Sequence, residues 1–168
     1  MTSSTAEALA AGPRPERAEV VCERAIEGDR LTDHYRIRRA VFVDEQGMFE
    51  GTDRDEHDAE PGVVHVLATV GSVSVGTVRL FPLDRQGRLW QGDRLAVLPA
   101  HRVHGAGAPL VRFAVAWAAA AGGRRMVAHI QLPNVVFFRR LGWNVSGPVE
   151  TYLGVAHQPM SIDLADGL

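Results

Sequence analysis

At 168 residues, 46% hydrophobic and 23% charged, the chain has the make-up of one soluble globular domain with length enough for a real core. Its formal charge is -2, with 18 basic against 20 acidic side chains, which argues against nucleic acid as a main partner. Every basic residue is arginine, so no lysine is present for a nucleotide-triphosphate P-loop or for a Schiff base.

Residues 1–18 are rich in Ala, Ser, Pro and Glu and lack the apolar stretch of a secretory signal. They read as a disordered leader ahead of a single domain over residues 19–168. The one cysteine, Cys22, cannot make an internal disulfide, which suits a reducing cytoplasm, and no apolar run reaches membrane-spanning length.

Residues 20–25 read as a first strand, and residues 29–43 as a helix with Leu31, Tyr35, Ile37, Val41 and Phe42 on an apolar face. Residues 44–62 are acidic and irregular. Residues 63–70 and 73–81 are two strands joined by Gly71-Ser72, a hairpin signal. Residues 88–97 form a further strand, 108–121 a helix closed by Gly122-Gly123, and 125–131 another strand. A short helix over 133–141 and strands over 151–155 and 160–164 complete the chain. This order predicts an α/β (α+β) domain with a mixed, mostly antiparallel sheet flanked by helices, distinct from a doubly wound dinucleotide fold.

The most specific stretch is Arg102-Val103-His104-Gly105-Ala106-Gly107 with Ala108, a basic, glycine-spaced turn between a strand and a helix. Glycines leave backbone N–H groups open to a ligand, and the helix aims its free N–H groups and positive dipole end at the same point. Such a turn suits a phosphate. A third glycine and an acidic residue about 20 positions on are both missing, so the dinucleotide reading fails.

With the elements in this order, the chain resembles the GNAT acetyltransferase superfamily over nearly its whole ordered length. Residues 102–107 match that family's pyrophosphate loop, residues 94–97 the strand before it, and Asn134 to Trp143 its closing helix. The resemblance implies acetyl-coenzyme A as cosubstrate, with the pyrophosphate on residues 102–108 and the pantetheine arm along Leu95, Ala96 and Val97. It also implies a role for Asn134 and Phe138 beside the coenzyme. Residues 38–46 look like the opening of the ElaA-like bacterial branch, and Tyr152, His157 and Met160 like its ending. The chain is also similar to bacterial GNAT proteins associated with nitrogen starvation. Asp55, Asp58, residues 78–82, Trp90 and Arg94 echo the acyl-homoserine-lactone synthases, although Gln91 stands where those enzymes have Glu.

Amine acylation needs a base for the ammonium, donors for the developing oxyanion and ease of thiolate departure. Base candidates are Glu45 and His157, ranked first, then His129 and Asp93. The resemblance implies Val97 N–H as the oxyanion donor where the strand splays. Phe138 occupies the place of the family's acidic Tyr and cannot donate a proton. Phe42, Arg79, Arg94, Asp55 and Asp58 are the expected neighbours of the acceptor, with the carboxylates of residues 44–60 read either as a solvated loop or as an anionic rim for a cationic amine. Arg79, between Val78 and Leu80 in a strand, needs an anion if it points inward. No metal is expected, since Asp53, Asp55, His57 and Asp58 fit no calcium loop and His101 with His104 lack a third ligand. The expected partner is a small amine, amino-acid-like in its sharpest form, with no nucleic acid or membrane and with a homodimer left open. The alternatives are a lactone-synthase-like acyltransferase and a non-catalytic coenzyme A sensor.

Overall fold

The computed structural model describes residues 19–164, so the leader read over residues 1–18 lies outside the described residues. In chain order the elements are β1 (Val20–Arg24), α1 (Gly28–Arg38), β2 (Val64–Val70), β3 (Val73–Pro82), β4 (Leu89–Val97), α2 (Gly107–Ala120), β5 (Arg125–Gln131), α3 (Val135–Arg140), β6 (Asn144–Val145), β7 (Glu150–Tyr152) and β8 (Val155–Asp163). The strands join in one sheet, ordered β1-β2-β3-β4-β5-β8-β6, with β7 against β8. Every pairing is antiparallel except β4 with β5, as the element order predicts for a mixed, mostly antiparallel sheet.

Helices cover both faces. On one, Leu110, Ala114 and Ala118 recur at helical spacing along α2 and pack on Val64, Val66, Val78 and Leu80 of the sheet. Gly76 makes this approach close, because a Cβ there would stand 3.0 Å from both the Leu110 side chain and the Ala96 carbonyl. On the other face, Ile37, Val41 and Phe42 pack against Leu67 and Ala96. Strand alternation explains the division, since neighbours such as Val66 and Leu67 point to opposite layers. Cys22 sits half-buried in β1, and burial pushes its thiol up to about 11, the behaviour of a packed residue rather than a nucleophile.

Two expectations change. The helix expected over 29–43 is α-helical only to Arg38, and Arg39–Glu45 is a π-turn whose Gln46 N–H reaches the Val41 carbonyl at 2.9 Å. Apolar spacing over seven residues does not separate this wider turn from an α-helix. The strand pair expected over 151–155 and 160–164 is instead a short β7 and one continuous β8 running through Pro159. Pro159 accepts from Ser146 N–H at 3.0 Å but has no N–H to return, and the pairing of β6 with β8 ends there. Among the described residues, no helix is long and apolar enough to cross a membrane.

Candidate active site

β4 and β5 pair in parallel only where Leu89–Gln91 meets Arg125–Val127. Beyond that, β4 stays on β3 to Val97 while β5 stays on β8 to Gln131, and the two strands part. A bulge sits at the parting. Thr77 opposes Ala96 and Arg79 opposes Asp93, so Arg94 and Leu95 together face Val78. Arg94 takes φ 52, a left-handed conformation that costs a non-glycine residue about 1–3 kcal/mol and needs its surroundings to hold it. Thr77 Oγ1 donates to the Arg94 carbonyl at 3.0 Å, and the Arg94 guanidinium is tied down by Asp53 and Asp55. Just past the bulge, Leu98 N–H reaches the Val75 carbonyl at 2.9 Å, so alternation turns Val97 N–H toward the open edge.

The parted strands enclose a cavity of about 520 Å³ with two unlike walls. Asp55, Glu56, His57, Arg94, His129, Glu150 and His157 make one wall polar. Val78, Val111, Ala114, Met126, Ala128, Phe138 and Trp143 make the other, beneath the sheet toward α2 and α3, apolar but for the Trp143 indole N–H.

Arginine–aspartate pairs buttress the polar wall. Arg38 donates to Asp53 and Asp58, both at 2.7 Å, and Arg79 grips Asp93 through two bonds of 2.7 Å and Asp55 through one of 2.6 Å. Arg94 Nε completes the group on Asp53 at 2.9 Å. Arg38 and Arg79 are fully buried, so these bonds are charge-assisted and shielded from water. Burial alone would push the Asp58 carboxyl up, but the hydrogen bond and charge of Arg38 hold it well below the usual range. Asp55 is held down likewise, against burial, by Arg79 and Arg94. Asp55 and Asp58 also cap the short 3-10 turn Glu56–Ala59 in a reciprocal box. Alongside, His34 Nδ1 meets the Val66 carbonyl at 2.9 Å and His65 Nδ1 meets His34 Nε2 at 3.1 Å. Burial, then the neighbouring His65, pushes His34 down to about 3.

At the end of β4 the chain makes a 3-10 turn, Pro99–His104, and reverses at Gly105, whose φ of 67 favours glycine. The first bonded amide of α2 is Leu110, on the Ala106 carbonyl at 3.1 Å. Pro109 has no N–H, which leaves the amides of Ala106, Gly107 and Ala108 as free donors at the positive helix end. Arg102 bridges the Val97 carbonyl at 3.2 Å and Glu45 at 2.5 Å.

The cavity brings together Phe42, Asp55, Asp93, Arg94, Leu95, His129, Asn134, Phe138 and His157 from the expected set. Glu45, Arg79 and Asp58 do not line it: Glu45 is spent on Arg102, Arg79 is fully buried among aspartates, and Asp58 is held by Arg38. Of the eight carboxylates of residues 44–60, Asp53, Asp55 and Asp58 neutralise buried arginines, while Asp44, Glu45, Glu50 and Glu56 are exposed, so the segment is part internal ion pairs and part solvated loop. Asp93 lines the cavity but is engaged by Arg79, and His129 stands 3.4 Å from Glu150. Glu150 has no place in the sequence reading, and Arg38, Asp53, Gln91 and Trp143 enter it only within motifs or as one of several carboxylates, without a role at the site. Only the inward place of Arg38 on its helix face carried a local signal, and Trp143 Nε1 is buried without a partner. Among the described residues, no group of three His, Cys, Asp or Glu is placed to hold a metal.

Comparison with known proteins fits this geometry. Residues 29–143 match the Acetyltransferase (GNAT) family. A Bacillus subtilis protein assigned as an acetyltransferase, BSU40680, is 30% identical over 128 residues, 76% of this chain and 85% of its own length. Among solved structures, Escherichia coli ElaA superposes with TM-score 0.75 at 20% identity, over 85% of this chain and 99% of ElaA. The coenzyme A-dependent acyl-homoserine lactone synthase BjaI, solved with SAM and isopentyl-CoA, gives TM-score 0.68 at 19% identity, over 80% and 76% of the two chains.

Proposed function

Because the chain belongs to the GNAT acetyltransferase family, we propose that it transfers an acyl group from acyl-coenzyme A, acetyl being the smallest donor, to the amine of a small cationic acceptor. The observation that carries this reading is the parting of β4 from β5 after Gln91, which opens a walled cavity at an unpaired strand edge. The residues present fit the coenzyme. Residues 95–97 offer a ladder to an amide-bearing arm, and the free amides of Ala106, Gly107 and Ala108 suit its pyrophosphate. When bound, the coenzyme supplies an activated thioester carbonyl.

The chain's own groups do the rest. Val97 N–H, at the open edge, donates to the carbonyl oxygen as charge gathers there. His157 is buried on the cavity wall, with Nδ1 2.8 Å from the Val155 carbonyl. A carbonyl only accepts, so Nδ1 carries the proton and Nε2 keeps its lone pair for the acceptor's ammonium. Once deprotonated, the amine nitrogen bonds to the thioester carbon and gives its second proton to solvent, the C–S bond breaks, and the sulfur leaves with its electron pair as thiolate. Phe138 gives no proton, so the thiolate takes one from solvent.

The charge of the walls selects the acceptor. Arg94 is the only arginine lining the cavity among the described residues, and Asp53 and Asp55 already hold it. Asp55, Glu56, Asp93 and Glu150 line the same space. An amine without a carboxylate of its own fits this better than the amino-acid-like acceptor expected from sequence. The cytoplasmic setting expected for a lone, half-buried cysteine belongs to the same reading. Free-thiol release from acetyl-coenzyme A across an amine panel tests it: di- and polyamines are turned over ahead of amino acids, and His157→Gln lowers kcat/KM at least about 100-fold. Turnover confined to amino acids refutes the acceptor class.

A further inference from the structure

The apolar compartment of the cavity has no task in acetyl transfer. Apart from Trp143, its walls are Val78, Val111, Ala114, Met126, Ala128 and Phe138, each no more than 5% exposed and none able to pair with a charge. Ala114 on α2 and Ala128 on β5 are its smallest side chains, and they leave the space open where larger residues would close it. An ammonium acceptor has no place there, because a charge buried without a partner is strongly disfavoured. Beyond the Trp143 indole N–H, water has little to bond there, and cavities lined in this way take up hydrocarbon. The whole cavity, about 520 Å³, is of a size for drug-like ligands, and the arm along Leu95 passes its polar mouth rather than this compartment's apolar walls.

We infer that the donor carries a short linear or branched acyl chain of about four to six carbons, its tail seated beneath the sheet between α2 and β5. The inference rests on the acyl-transfer reading and gives its two walls separate work. The polar wall takes the cationic acceptor, the apolar wall takes the tail, and Gly92 and Leu95 line the cavity on β4 between them. Each buried methylene tightens binding about fourfold, so the three extra carbons of an isovaleryl group set a ceiling on the order of 50-fold over acetyl.

Calorimetric titration of the full chain with coenzyme A, acetyl-coenzyme A and isovaleryl-coenzyme A tests this without turnover. The expected result is isovaleryl-coenzyme A at least about tenfold tighter than acetyl-coenzyme A. Ala114→Phe abolishes that advantage and leaves the affinity for coenzyme A itself unchanged. Ala128→Val, a smaller intrusion, shrinks it and serves if Ala114→Phe fails to fold in a thermal melt. Equal affinities in the wild type, or an advantage that survives a folded variant, overturn the inference about chain length alone. Failure of the wild type to bind any of the three overturns the acyl-transfer reading, and this inference with it.

Discussion

Removing the carboxylate of Asp53 tests how the parted strands are held. Its Oδ2 accepts from Arg38 Nε at 2.7 Å and Arg94 Nε at 2.9 Å, while its backbone carbonyl accepts from Arg94 Nη2 at 2.9 Å. Asp53→Ala deletes the first two bonds and leaves the third. Side-chain exposures are 0% for Arg38, 2% for Asp53 and 9% for Arg94, so both lost bonds are charge-assisted and poorly solvated. Such bonds contribute about 1.5–3 kcal/mol each. Arg38 keeps Asp58 and Arg94 keeps Asp55, so neither cation is stranded and the loss falls at the lower end, about 3–4 kcal/mol. For a chain of this size that lowers Tm by roughly 6–16 °C. Urea denaturation and a thermal melt read the stability, and coenzyme A titration reads the site. Because Arg94 sits at φ 52 inside the bulge, the loosened clamp lets β4 relax, and coenzyme A affinity drops as well. In an Arg94→Ala background the same substitution costs less, by at least about 1 kcal/mol. A loss under about 1 kcal/mol, or an identical cost in both backgrounds, refutes the reasoning.

Acid weakens the fold through His34. Its folded value of about 3 lies below the ordinary 6.5, so its contribution is complete above pH 6.5 and lost as pH falls toward 3. Between pH 6.5 and 4.5 the unfolded chain binds one proton at this site that the folded chain does not, and over those two pH units the loss is on the order of 2–3 kcal/mol. Asp55 and Asp58, held below 3.8, add their loss only below that value. Urea midpoints at pH 7 and 4.5 read the drop, and a drop of the same size in His34→Gln refutes the assignment. Trp143→Phe removes an indole N–H that has no partner, so it costs far less than the about 3–5 kcal/mol of Phe138→Ala; equal losses in urea melts refute the unpartnered state. Arg102→Ala leaves stability within about 1 kcal/mol, since its tie to Glu45 is half-exposed, while coenzyme A binds about tenfold more weakly by calorimetry. Unchanged binding argues against a phosphate role for that arginine.

What the chain announced in one dimension is what local chemistry determines. The Gly71-Ser72 hairpin, the glycine turn before α2 and the apolar stripe of α2 each depend on residues a few positions apart, so spacing alone located them. The resemblance across residues 94–107 and 134–143 pointed to the family for the same reason. The partners of the arginines were not legible. Arg79 meets Asp55 and Asp93 from 24 and 14 positions away, and Arg94 meets Asp53 from 41. The register of β3 on β4 sets Arg79 opposite Asp93, and the segment before β2 brings Asp53 and Asp55 to Arg94 and Arg79. These contacts turned three of the eight carboxylates of residues 44–60 into partners of buried arginines and took Arg79 away from any substrate. The depth of the apolar compartment was equally hidden, because Ala114 and Ala128 read as ordinary core until α2 and β5 stand on either side of one space. A coenzyme site can be read from a contiguous loop; the chemistry of the acceptor and the length of the acyl tail depend on surfaces that only folding brings together.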